Sequence, residues 1–174
     1  YPSVGAIVEA LRNDTGGDTG VTQATVSKVL KSLEEELLIA RSGGSQGTSI
    51  SLKQPGELLD RLAQEYVPPR TSQTLRGNPT EQSAARTPIA ILADAARKAG
   101  VRYAVDTVMS YAPFPGAEDT PIYVESLAPI VDAGAVREND RFATVRLIET
   151  SDPTAYFDTR VVGGVCRVSP IQIY

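Results

Sequence analysis

Histidine and tryptophan are missing from this chain, and cysteine occurs once, as Cys166. Without histidine, His-ligated zinc sites, Ser-His-Asp triads and Cys-His dyads are excluded for the chain acting alone. A single thiol builds no metal cluster, and Cys166 sits in the apolar run Val165–Val168, where a buried, inert thiol is expected. One cysteine and no secretory leader point to a reducing, cytoplasmic location. No apolar run approaches the ~20 residues needed to span a bilayer, so no membrane partner is expected. A basic excess is missing too. There are 17 Lys and Arg against 21 Asp and Glu, a net charge of −4, which argues against a strong, indiscriminate nucleic-acid binder. Aromatics are only 6% of residues, so the 41% apolar content implies an aliphatic core. The 174 residues allow one domain or two small ones. The chain opens on Tyr1 rather than Met and stops inside an apolar segment, so it reads as a piece of a longer protein.

The most structured signal lies in residues 22–53, TQATVSKVLKSLEEELLIARSGGSQGTSISLK. Val26, Val29, Leu30, Leu33 and Leu37 recur at helical spacing and predict one buried stripe. Thr22 stands where an N-cap belongs. Gln23, Thr25, Ser27, Lys28 and Lys31 crowd the outward side near the helix start. Small polar groups and cations of this kind reach base edges and phosphates in a major groove. Leu38–Ala40 then reads as a short strand, SGGSQG as a turn, and Thr48–Leu52 alternates with period two. Helix, strand, glycine-rich turn and alternating strand is the order of a recognition helix and its wing. Lys28, Lys31, Arg41 and Lys53 are expected to share one phosphate-binding face, with Glu34–Glu36 about 10 Å beyond Lys28.

Around this segment, residues 3–12 predict a support helix with Val4, Ile7, Val8 and Leu11 on one face. The stretch NDTGGDTG makes a loop longer than a tight helix-turn-helix connection. Pro55 opens a further helix, with Leu58, Leu59, Leu62, Ala63 and Tyr66 closing the small core. Residues 67–87 hold three prolines and little periodicity, so a linker is expected at 68–87. The fold class is therefore α+β: a winged helix-turn-helix domain over 1–67, then a small mixed α+β domain over 88–174. In that second part, helices are expected at 88–99 (ending at Gly100), weakly at 126–135, and as a turn at 153–158. Strands are expected at 101–111, 121–125, 142–149 and 160–168. The last contains Gly163-Gly164, which suggests a bulge or a close backbone approach.

Catalytic patterns are lacking. Asp106, Glu118, Asp119, Glu149 and Asp152 read as solvated surface acids. No Walker A loop or dinucleotide fingerprint is present, and Gly163-Gly164 is too short to cradle phosphate. The second domain is expected to bind a partner rather than to be an enzyme, with no catalytic residue, metal or cofactor.

Several segments together, TQATVSKVLKSLEEELLI, the wing, LKQPGELLDRLAQEY and RVVGGVCRVSPIQIY, resemble the AbiEi-like antitoxin family of type IV toxin–antitoxin systems. The resemblance covers most of the chain and is strongest at the Pro-Gly-Glu-Leu-Leu helix and the C-terminal segment. It implies a bacterial two-part protein whose winged helix represses its own operon. The C-terminal domain would counteract a nucleotidyltransferase-type toxin. Its implied partners are double-stranded promoter repeats, a cognate toxin and a second copy of the chain. Carried onto this sequence, the DNA role falls on Gln23, Thr25, Lys28, Lys31, Arg41, Ser45 and Gln46. Thr22, Ser27 and Lys53 complete the expected interface. The alternative expectation is a non-enzymatic protein-interaction scaffold, motivated by the acidic end of the recognition helix and the low net basicity.

Overall fold

The computed structural model describes every residue except 1–2, 16–19, 45–46, 82, 107–118 and 174. The chain divides between Pro68 and Pro69 into two compact units. Together the described residues form a mixed α+β structure with six α-helices and a seven-stranded sheet.

The first unit runs α1 (Val4–Thr15), α2 (Gln23–Glu35), a hairpin of β1 (Ile39–Gly44) and β2 (Gly47–Leu52), then α3 (Pro55–Gln64). Thr22 caps α2, its hydroxyl accepting from the Thr25 backbone N–H at 3.2 Å. This satisfies one of the orphan amide donors of the first turn. Val8, Val26, Leu30 and Ile39 are buried together, with Val4, Ile7, Leu11, Val21, Leu33 and Ile50 packed against them. The helical spacing of Val26, Leu30 and Leu33 thus becomes the face that α1 and β1 cover.

Two members of the expected stripe leave it. Val29 and Leu37 are exposed, Leu37 by 69%. Leu37 falls beyond the helix end with φ +60°. Its amide donates to the Glu34 carbonyl and that of Leu38 to the Leu33 carbonyl. These are the two reversed bonds of a glycine-type helix stop. A leucine in this left-handed conformation costs roughly 1–2 kcal/mol, and little apolar burial offsets it. Leu37→Gly is therefore expected to stabilise the unit by about 1 kcal/mol despite glycine's larger unfolded-state entropy. A thermal melt of the variant checks this, and a lowered midpoint would contradict it.

The expected closing role of Pro55's helix is corrected. Pro55 does sit in the first turn of α3, but α3 contributes no buried residue. Leu58 and Leu59 are half-buried, while Leu62 and Tyr66 are 45% and 48% exposed. Polar links hold its start and middle instead. The backbone N–H groups of Lys53 and Gln54 donate to the Leu38 carbonyl, and Arg61 pairs with Glu36 at the end of α2.

The second unit corrects the expected linker. Residues Gln73–Pro79 form β3, inside the sheet. Then follow α4 (Pro88–Lys98), β4 (Tyr103–Val105), β5 (Thr120–Val124), α5 (Ala128–Asp132), β6 (Val136–Glu138), β7 (Val145–Glu149), a 3-10 turn (Pro153–Tyr156), β8 (Arg160–Val162), β9 (Val165–Arg167) and α6 (Pro170–Ile173). The sheet order is β6-β3-β7-β5-β4-β9-β8. It is mixed: β5–β7 and β4–β9 are parallel and the other pairs antiparallel. Thr87 caps α4 by accepting from the Ala90 amide, and Gly100 (φ +68°) ends it as expected. The expected strand at 160–168 is two strands. Gly163 and Gly164, both with positive φ, form the turn between β8 and β9 rather than a bulge. Cys166, expected buried, is only partly so. Residues 107–111 of the expected strand lie outside the described residues.

One face of this sheet carries the main core. Leu92 and Ala96 of α4 and Ile130 of α5 pack with Val105, Ile122, Val124, Val145 and Leu147. On the other face Ala155 and Tyr156 of the 3-10 turn pack with Ala104 and Val168. The Tyr156 hydroxyl donates to the Thr150 carbonyl at 2.9 Å, and burial pushes its acidity far down, its pKa upward.

Glu149, expected on the surface, ties three segments together. Its carboxylate accepts from the Leu127 amide at the start of α5, the Ser72 hydroxyl and the Gln73 side-chain amide. Those donors, the Leu127 amide foremost, hold its pKa below the usual carboxylate range. A depressed folded-state pKa contributes stability that is present above the unfolded value, near 4.5, and lost as pH falls through the folded value. Glu149→Gln is expected to lower the melting midpoint at pH 7, with the gap to the parent narrowing below about pH 4. A gap that is constant with pH would refute this account.

Candidate nucleic-acid interface

Helical geometry of about 100° per residue places the outward side chains of α2. Ala24, Lys28, Lys31 and Glu35 fall at spacings of four, three and four and form a stripe opposite Val26 and Leu30. Lys28 and Lys31 are both exposed. Lys31 lies 3.7 Å from Glu35, a pair of which both members are largely exposed, so the contact constrains Lys31 little. Lys28 and Lys53 have no acid within ion-pair distance among the described residues. The remaining expected contacts spread to the flanks. Gln23 lies beside Gly5 of α1. Thr25 shares its hydroxyl with Thr22 at 3.0 Å on the other flank. Ser27 is half-buried and Lys53 exposed at the end of β2. Ser45 and Gln46 lie outside the described residues.

Arg41 is placed differently from the expected open wing cation. Strand alternation puts it on the same side of the hairpin as Ile39, and it stands in register with Ile50, so it faces inward. There its guanidinium grips the Glu34 carboxylate through Nε at 2.7 Å and through Nη2, while its backbone N–H donates to the other Glu34 oxygen at 3.2 Å. The arginine beside Glu34 lowers that carboxyl's pKa. The acidic run at the end of α2 thus has an architectural use: Glu34 braces the hairpin and Glu36 braces α3 through Arg61. The outward face of the hairpin is left with Ala40, Ser42, Ser49 and Ser51. Ser42 and Ser49 are hydrogen-bonded to each other at 2.6 Å.

The second unit holds a group that the sequence reading missed. Asp119, expected to be solvated, is buried, its side chain only 2% exposed. Its carboxylate accepts from Arg76 Nε at 2.5 Å and lies 3.6 Å from Arg146 Nε. Elsewhere in this unit, Asp94 lines an open groove of about 660 Å³ beside α4 and α5, but Lys98, Arg97 and Arg86 surround its carboxylate. Lys98 first and Arg97 next lower its pKa, which suits a held anion rather than a proton carrier. Among the described residues, no three His, Cys, Asp or Glu side chains gather as metal ligands, and no helix is long and apolar enough to cross a membrane. Comparison with family models, with curated proteins and with solved structures finds no match for this chain.

Proposed function

We propose that the first unit is a winged helix that binds promoter DNA and represses transcription, with α2 entering the major groove and the β1–β2 hairpin lying against the backbone. The observation that carries this reading is the outward stripe of α2. It presents Ala24, Lys28 and Lys31 next to a capped helix start, with small residues that allow close approach. Lys28, Lys31 and Lys53 supply phosphate contacts, Gln23 and Thr25 read bases, and Arg41 stiffens the wing. Few cations serve each copy, so binding is steeply salt-dependent and gains from two copies on repeated sites. The second unit would then meet a toxin of nucleotidyltransferase type, a role that rests on the family resemblance alone.

Fluorescence anisotropy with DNA from just upstream of the gene, at two salt concentrations and with a scrambled competitor, tests the reading. Specific, salt-sensitive binding is expected. A second reading, a protein-interaction scaffold, is favoured by Leu62 of α3 and Tyr66 just beyond it, both about half exposed. No binding at low salt would shift the assignment to that reading.

A further inference from the structure

Val26 and Leu30 fix the buried side of α2. At about 100° per residue, Ala24 and Lys28 each stand about 160° round the axis from Val26 and about 40° from each other. Both are exposed. Gln23 and Ser27 turn back toward the core on one flank, about 60° and about 100° from Val26, and Thr25 lies about 100° off on the other. Gln23 lies beside Gly5 of α1, Ser27 is half-buried, and Thr25 is tied to Thr22 through their hydroxyls at 3.0 Å. The most outward position in the first turn of α2 is therefore a bare methyl group. The first residues of a recognition helix are those that meet base edges. Alanine there offers no donor and no acceptor, and it is short enough to let the helix close on the groove floor. Base edges in the major groove are lined with hydrogen-bonding groups, except for the 5-methyl group of thymine. A methyl group pressed on a polar edge strands that edge's donors or acceptors. Pressed on another methyl group, it removes apolar surface from water on both sides.

We propose that Ala24 is a specificity-determining residue that reads the 5-methyl group of a thymine in the major groove, with Lys28 one turn further on holding a phosphate. This rests on the DNA-binding reading of α2 and adds the chemical feature that sets its preference. Phosphate contacts by Lys28 and Lys31 fix position without sequence information. Gln23 and Thr25 act from the flanks. One methyl–methyl contact is small, on the order of fourfold in affinity. The other three bases lack it, so it decides among sites that the lysines hold equally well.

The test is fluorescence anisotropy of the full chain, at one salt concentration, with two versions of the DNA from just upstream of the gene. One is natural, and the other carries deoxyuridine in place of every thymidine, so the two duplexes differ only by the 5-methyl groups. The natural duplex is expected to bind about fourfold tighter or more. In Ala24→Gly this ratio should fall toward one. Glycine weakens the helix for both duplexes, and uracil alters duplex bending for both proteins, so each effect cancels when the two ratios are compared. Lys28→Ala should weaken both duplexes alike and keep the ratio. Should Ala24→Gly fail to fold, Ala24→Ser puts a hydroxyl at the contact and is expected to narrow the ratio as well. Natural DNA bound with no preference over the uracil form, or a preference unchanged in the folded Ala24 variant, overturns the role of Ala24 and leaves the DNA reading standing. Absence of a preference is also the outcome if residues 16–19, which precede α2 and lie outside the described residues, stand over Ala24. Failure to bind either duplex overturns both.

Discussion

Replacing Lys28 and Lys31 together by alanine is expected to weaken binding to promoter DNA and to reduce the slope of log K against log salt by about two. Each phosphate contact removed lowers that slope by roughly 0.9 through the counterions it no longer releases. The two lysines are three residues apart on the exposed stripe of α2 and carry no core packing, so the loss should fall on binding and leave folding unchanged. The Lys31–Glu35 contact does not alter the forecast, since exposed pairs of this kind are worth only about 0.3–0.5 kcal/mol. Glu34→Gln should act in the opposite sense. It removes one negative charge while its amide oxygen can still accept from the inward-facing Arg41, so affinity should rise slightly and the slope stay unchanged. The comparison separates specific use of the stripe from a general response to charge. If the double lysine variant binds with an unchanged slope, α2 is not the element that meets phosphate.

Short-range pattern was legible where one face of an element is buried and invisible where tertiary partners decide. Thr22 announces its helix because a capping hydroxyl acts within three residues. Gly100 announces a helix end because its φ is left-handed. Leu37 misled because it continues the apolar spacing of α2 past the helix stop, where the chain has already turned. Arg41 could have been placed correctly from period two, since it alternates with the apolar Ile39 and so had to face inward. The strand at Gln73–Pro79 left little trace. Thr74, Arg76 and Asn78 lie on the face away from the main core, and on the other face Leu75 alone signals the core. Asp119 gave no signal at all, because its partners lie 43 residues before it and 27 after it in the chain. That long-range pairing is what makes the contacts of Asp119 with Arg76 and Arg146 unreadable from sequence.

Gly77→Ala is the substitution expected to damage the second unit most for the fewest atoms added. Gly77 lies in β3 between Arg76 and Asn78, paired on one side to Glu138 of β6 and on the other to Val145 of β7. A methyl group there would collide with the carbonyl oxygen of Arg137 and meet its carbonyl carbon and the Val136 side chain at 3.1 Å each. Two effects oppose each other. Alanine lowers unfolded-chain entropy, a gain of about 0.4–1 kcal/mol where the site can accept it. Overpacking costs about 1–3 kcal/mol, and more when the obstruction is backbone that cannot rotate away. The obstruction here is backbone, so the cost wins. Relief has to come from β6, a three-residue strand at the sheet edge that pairs with β3 alone among the described strands. Lifting it would expose Val136 and Ala135, which pack on the main core, and would shift Arg137 away from Arg76. A net loss of about 2 kcal/mol is expected, lowering the melting midpoint by roughly 8 °C or more. Hydrogen exchange should quicken at the Asn139 amide, which donates to the Arg76 carbonyl at 3.0 Å across this junction. Unchanged melting with full protection at Asn139 would mean that β6 can retreat without cost.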